Sequence, residues 1–253
     1  MRLLIGQISY LNSQPFYPLL GEHRLIPTPP RELGRMAKNG EIDAGILAAA
    51  DYFVHEDRYE PIAGLGVANR EEVRSILFLS RRPMAELDGA RIGITEETST
   101  SVRLLRVLLE LRDGIRPAEY VRGLRDEGDA FLVIGNEALR RNTTGTPAFP
   151  YRYDLATEWW NWTGLPFVFA LWAVRRSLPE ETKGELAELL ERSFVLGMSQ
   201  IDQIAAEFAG ELGGREVLAS YLRNFHYRLG SEEMKGFEEF RRLTDENHFL
   251  EPI

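Results

Sequence analysis

The sequence predicts an α/β protein of two lobes with a ligand cleft between them. The alternation strand, helix, strand occurs twice along the chain, once near its start and again from Ala90. That alternation marks parallel sheets covered by helices. The chain beyond Pro179 is helical and amphipathic, so it can pack back on the first lobe and leave the second inserted within it. The expected limits are 1–82 plus 175–253 for one lobe and 83–174 for the other. A cleft between lobes is the default place for a small ligand.

The elements follow in order. Arg2 to Ser9 reads as a short buried strand ending in a polar turn, and Leu25 to Pro27 as a second apolar piece. Arg31 to Asn39 has a helical pattern with Gly40 as its C-terminal stop. Asp43 to Ala48 is a strand of small residues. Arg74 to Ser80 is a further strand, broken by Arg81, Arg82 and Pro83. The second α/β unit opens after the turn Leu87-Asp88-Gly89 with the strand Ala90 to Ile94. Thr98 to Leu111 is a helix with Val102, Leu105, Leu108 and Leu109 at helical spacing, and Ala130 to Ile134 is another strand. The apolar run Pro166 to Val174 reads as a strand returning through the core, and the helical remainder breaks at Gly213-Gly214 and Gly230-Ser231.

Bulk properties narrow the function. A chain of 253 residues with 44% hydrophobic residues builds a substantial core. The formal net charge of −9 argues against nucleic acid, which demands clustered Lys and Arg. A small anion remains open, because helix N-termini and backbone amides bind anions without net charge. The chain has no cysteine, which excludes disulfides, thiolate catalysis and cysteine-held metal centres. MRLLIGQISYLNSQPF lacks the pattern of a secretory signal, and no run approaches the ~20 apolar residues of a membrane span. The expected location is the cytoplasm, with no membrane partner.

Three segments carry candidate chemistry. Tyr10-Leu11-Asn12-Ser13-Gln14-Pro15-Phe16 follows the first strand, and ligands gather at the carboxyl ends of strands in open α/β sheets. Asn12, Ser13 and Gln14 supply hydrogen-bonding groups and Tyr10 and Phe16 ring faces; Asn12 as a plain helix N-cap accounts for the same pattern. Thr98, Ser99, Thr100 and Ser101 open a helix after a strand. Such a run holds a carboxylate or phosphate, or it simply caps the helix, with Glu96 and Glu97 expected to point away from any anion. Asp154 to Phe167 holds three of the four tryptophans, which serve either as core packing or as a lid. Here Asp154, Trp159, Gly164, Leu165 and Pro166 are candidate contacts. Ser75 and the pair Gly135-Asn136 stand at strand ends, as ligand contacts or as a solvated serine and a tight turn.

Other chemistries find no support. The chain has no GxSxG elbow, Walker A loop or GxGxxG. His23, His55, His226 and His248 show no metal-ligand spacing, so neither a metal nor a cofactor is expected.

The segments ISYLNSQPF, RSILFLSRRP, TSTSV, VIGNEAL and YDLATEWWNWTGLPFVFALWAV together resemble the MqnA family, the chorismate dehydratases of the futalosine route to menaquinone. The resemblance reaches to about Val174 and rests most on ISYLN and TGLPFVFA. It implies the two-lobed, type II periplasmic-binding-protein fold. It also implies a hydro-lyase that removes water from the dianion chorismate to give 3-[(1-carboxyvinyl)oxy]benzoate. It makes Asn12 the essential polar residue near the eliminated hydroxyl. Where the family has Ile-Gly-Asp, this chain has Ile134-Gly135-Asn136, so a hydrogen-bonding role carries over at position 136 but a charge role does not. Two alternatives are a sister enzyme resembling 1,4-dihydroxy-6-naphthoate synthase, whose expected cysteine motif is missing here, and a non-catalytic binder of small anions. The expected partners are the substrate and, at most, a second copy of the chain as a homodimer.

Overall fold

The computed structural model describes residues 1–124 and 128–251. The chain opens with β1 (Leu4–Gln7), a 3-10 turn (Leu11–Phe16), β2 (Arg24–Pro27), α1 (Pro30–Asn39) and β3 (Ala44–Ala48). There follow α2 (Ala49–His55), β4 (Tyr59–Asn69), β5 (Ile76–Ser80) and β6 (Arg91–Ile94). Next come α3 (Thr100–Arg106, prolonged by a π-helical turn Val107–Arg112), β7 (Glu119–Arg122), β8 (Ala130–Ile134) and α4 (Gly135–Thr144). The chain continues with β9 (Tyr151–Asp154), α5 (Leu155–Thr163) and β10 (Phe167–Arg175). It ends with α6 (Glu180–Ser199), α7 (Ile201–Glu207), α8 (Arg215–Arg223), β11 (His226–Arg228) and α9 (Ser231–Glu246).

The chain divides into two compact units. Unit 1 comprises Met1–Ala68 and Val168–Gly230; unit 2 comprises Asn69–Phe167 and the segment from Ser231 onward. The boundaries therefore differ from the expected 1–82 plus 175–253 and 83–174. β5 belongs to unit 2 because it pairs along its whole length with β8 and β9. The last helix joins unit 2 because its Phe240 packs edge-on against Trp159 and Phe167.

Unit 1 is built on a six-stranded sheet in the order β11-β4-β10-β3-β1-β2. β1 runs parallel to β2 and β3, and β10 runs antiparallel to β3 with Ala170 opposite Ala48. β3 is buried throughout, as a strand covered on both faces must be. α1 begins with Pro30, one residue before the expected start, and stops at Gly40 in the left-handed conformation, as expected from the sequence. β11 departs from the expectation of a wholly helical C-terminal region: His226 pairs with Ala68 of β4.

Unit 2 is built on a five-stranded sheet in the order β7-β6-β8-β5-β9. β6 is parallel to β7 and β8, and β5 is antiparallel to β8 and β9. β6, β7, β8 and β9 therefore all end at one edge of the sheet, where β5 begins. Leu77, Leu79, Phe131, Val133, Ala138 and Phe149 form a core cluster on this sheet. Its apolar burial stabilises the unit by roughly 1.5–3 kcal/mol for each large side chain.

Candidate functional site

The carboxyl edge of the unit 2 sheet gathers most of the residues singled out from the sequence. Ile94 stands beside Leu132, Ile76 beside Ile134 and Leu77 beside Asp154. These pairings bring the exits of β6, β8 and β9 together with the entry of β5. The exit of β6 leads through Thr98 and Ser99 into α3, β8 runs directly into α4, and β9 into α5. Three helix N-termini thus open at one edge, each with the positive end of a helix dipole, though the first amides of α5 are taken by the Asp154 carboxylate.

Thr98, Ser99, Thr100 and Ser101 are all buried, Thr98 completely. The N-cap residue of α3, Ser99, makes no side-chain capping bond, and the first turn has no acidic residue. The Thr98 hydroxyl is buried and has no hydrogen-bond partner among the described residues. A buried orphan hydroxyl costs about 1–3 kcal/mol, a penalty a bound ligand oxygen removes. Two guanidinium groups hold the loop from behind. Arg122 donates to the carbonyls of Thr95 and Thr98, both at 3.4 Å, and Arg103 donates to the carbonyl of Ser99 at 2.9 Å. Both add positive charge; Arg103 lies in α3 itself, one turn on from Ser99, whereas Arg122 comes from β7 and nothing near the loop in sequence signals it. Glu96 is exposed and lies beside the turn at Gly123.

Ser75 directly precedes β5 and is buried, with 1% of its surface exposed. A solvated serine is therefore excluded. Its carbonyl accepts a hydrogen bond of 2.8 Å from the Gly135 amide. Gly135 has φ +63° and is the first residue of α4, with half-buried Asn136 in the same turn. The expected tight turn is in fact a strand running straight into a helix, which the left-handed glycine makes possible.

Asp154 is buried and spends both carboxylate oxygens on the backbone. Oδ1 accepts from Ala156 and Thr157 (3.1 and 3.4 Å), capping α5, and Oδ2 accepts from Val73 and Arg74 (3.0 and 2.6 Å). Burial pushes its pKa up to about 6, against the opposing pull of these hydrogen bonds. With four donors on it, this carboxylate is a clamp, which corrects its reading as a direct substrate contact.

The other end of α5 also departs from expectation. Trp159 is fully buried and packs edge-on against Trp162, Phe167 and Phe240, so it is core and no lid. Gly164 is the left-handed cap of α5, its amide bonded to the Trp160 carbonyl. Leu165 and Pro166 lie against Gly236 of α9. This turn lies against the last helix within unit 2.

In unit 1 the segment Tyr10 to Phe16 follows β1, as expected. Tyr10 is half-buried at the N-terminal boundary of the 3-10 turn, which has no side-chain cap. Asn12 is therefore no N-cap. It lies within the turn, half-exposed, where its Oδ1 accepts from the Ser13 hydroxyl at 3.3 Å. Gln14 donates to the Tyr10 carbonyl at 3.1 Å. The turn is anchored on both sides. The Tyr17 hydroxyl accepts from the Ile8 amide at 3.1 Å, and burial drives that phenol's pKa far up. Ser193 of α6 donates to the Phe16 carbonyl at 2.8 Å and accepts from the Leu19 amide. Phe16 packs edge-on against Trp172 and Tyr227.

Comparison with known proteins places this geometry. A family described as menaquinone biosynthesis matches residues 3–246. The chain is 30% identical to the chorismate dehydratase of Thermus thermophilus, over 94% of this chain and 93% of that one. Among solved structures, an Archaeoglobus fulgidus protein superposes with a TM-score of 0.80 at 18% identity, covering 98% of both chains. The periplasmic aliphatic sulphonate binding protein SsuA of Escherichia coli superposes with a TM-score of 0.66 at 15% identity, over 99% of this chain and 94% of that one. These structural likenesses show the fold, that of the periplasmic binding proteins. No helix among the described residues is long and apolar enough to cross a membrane.

Proposed function

The chain belongs to the menaquinone-biosynthesis family, and from that premise we propose that it is a chorismate dehydratase. It is then a carbon–oxygen hydro-lyase that converts chorismate to 3-[(1-carboxyvinyl)oxy]benzoate and water, working in the cytoplasm on the futalosine route, alone or as a homodimer. The observation that carries this reading is the buried, partnerless Thr98 hydroxyl at the uncapped start of α3. It is a hydrogen-bond donor at the positive end of a helix, a place that suits a carboxylate.

Chorismate carries two carboxylates, a ring hydroxyl and an enolpyruvyl ether. Dehydration breaks the ring C–O bond and the neighbouring C–H bond and leaves an aromatic ring. That proton is vinylogous to the ring carboxylate, which makes it acidic; the poor hydroxide leaving group is the harder part. In our reading the amides and hydroxyls of Thr98 to Ser101 hold one carboxylate, and Ser75, Gly135 and Asn136 steady the substrate from the neighbouring strand ends. Asn12, with Tyr10 and Ser13 beside it, hydrogen-bonds the departing hydroxyl. Asp154 is a poor base because four backbone amides occupy it. The proton goes to a carboxylate of the substrate itself. Catalysis is then orientation and hydrogen bonding.

The test is to mix the purified chain with chorismate in metal-chelated buffer and follow products by chromatography with mass detection. Appearance of the enolpyruvyl benzoate supports the reading; intact chorismate refutes it. Asn12→Ala should lose at least tenfold in kcat, about 1.4 kcal/mol, and retention of more than that refutes the role given to Asn12.

A further inference from the structure

Arg74 is one of three residues other than glycine with a positive φ among the described residues, +57°, and such a backbone costs a side-chain-bearing residue about 1–2 kcal/mol. Its position is informative. It immediately precedes Ser75, and its amide donates to Asp154 Oδ2 at 2.6 Å beside the Val73 amide at 3.0 Å. On the far side of Ser75, the carbonyl is held by the amide of left-handed Gly135 at 2.8 Å. Ser75 is thus pinned from both directions. Cutting the Asp154 half of that grip leaves the left-handed turn at Arg74 without its compensation, and a strained backbone persists only where its surroundings over-determine it.

We propose that Asp154 is a positioning residue: its carboxylate locks the Val73–Arg74 turn in the left-handed conformation and thereby delivers Ser75 to the substrate. This rests on the preceding reading that Ser75 touches chorismate. Asp154 has two separable duties, since one oxygen caps α5 while the other holds the turn. A serine at an N-cap retains the first duty, but its single short hydroxyl cannot perform both.

The experiment measures kcat and KM for chorismate, by product formation, in wild type, Asp154→Ser, Ser75→Ala, their double variant, and Asp154→Ser combined with Arg74→Gly. Circular dichroism and thermal melting verify folding. We expect Asp154→Ser and Ser75→Ala each to raise KM about tenfold or more with a smaller change in kcat. The double variant should be no worse than the poorer single one, because both remove the same contact. Arg74→Gly should restore much of the loss in Asp154→Ser, since glycine takes the left-handed turn without a clamp. A purely structural cap would give no such rescue. Unchanged KM in Asp154→Ser, multiplying effects in the double variant, or absence of rescue each overturns the proposal. If Asp154→Ser does not fold, Asp154→Asn replaces it; failure of both to fold makes the residue structural and also overturns the proposal. Wild-type protein inert toward chorismate sinks the underlying reading, whereas active wild type with an unaffected Asp154→Ser sinks this inference alone.

Discussion

Replacing Thr98 with valine should push stability and ligand binding in opposite directions. The two side chains are nearly equal in volume, so the substitution deletes a hydroxyl and leaves little cavity. In the ligand-free protein that hydroxyl is fully buried without a partner, a state that costs about 1–3 kcal/mol. Thr98→Val should therefore raise the melting temperature of the unliganded chain, by roughly 2–4 °C for each kcal/mol in a protein of this size. With a carboxylate bound, the same hydroxyl becomes a donor to a charged acceptor, worth about 1.5–3 kcal/mol. The variant should therefore bind chorismate about 10- to 150-fold more weakly. Thermal melts with and without chorismate, together with KM, read both effects on one pair of samples. A variant that is less stable without ligand, or that keeps wild-type KM, refutes the argument that this hydroxyl is held in reserve for a ligand.

Other perturbations follow from close contacts and from burial. A Cβ on Gly197 would sit 2.0 Å from the Pro15 carbonyl oxygen and 2.7 Å from its carbon. Gly197→Ala should therefore displace the turn that carries Asn12, lowering stability by about 1–3 kcal/mol and kcat/KM by up to ~100-fold, measured by urea denaturation and turnover. Gly236→Ala meets the Pro166 carbonyl at 1.9 Å and should destabilise unit 2 by a similar ~1–3 kcal/mol in the same denaturation assay. Asp154 is raised from 3.8 to about 6 by burial, with the Glu72 charge adding to the rise and backbone hydrogen bonds from Arg74, Val73 and Thr157 opposing it. The folded state therefore holds this proton more tightly than the unfolded chain. Its contribution, about 3 kcal/mol, should be fully present below about pH 4 and lost as pH rises through about 6. Urea midpoints across that range should show this dependence in wild type and not in Asp154→Asn.

The fold was legible wherever local pattern and tertiary role coincide. The alternation of short apolar strands with helices exposed both α/β units, and the hydroxyl run after Ile94 marked the start of α3, where the structure buries all four hydroxyl residues. β4 was not legible because Pro61, Ala63 and Gly64 interrupt any strand pattern, and Ala63 and Gly64 are left-handed residues within a continuous strand. Trp159 shows the limit of composition: a tryptophan-rich segment reads equally as lid or core until Phe240, far along the chain, closes against it. Asp154 shows the same limit at the site. Its position at a strand end made it a credible ligand contact, but two of its four donors lie 80 and 81 residues earlier. Nothing near Asp154 in sequence signals them. What decides its duty is how many of its lone pairs the backbone has already claimed. That count also separates it from Thr98, the buried polar residue of the same edge whose hydroxyl the protein leaves unclaimed.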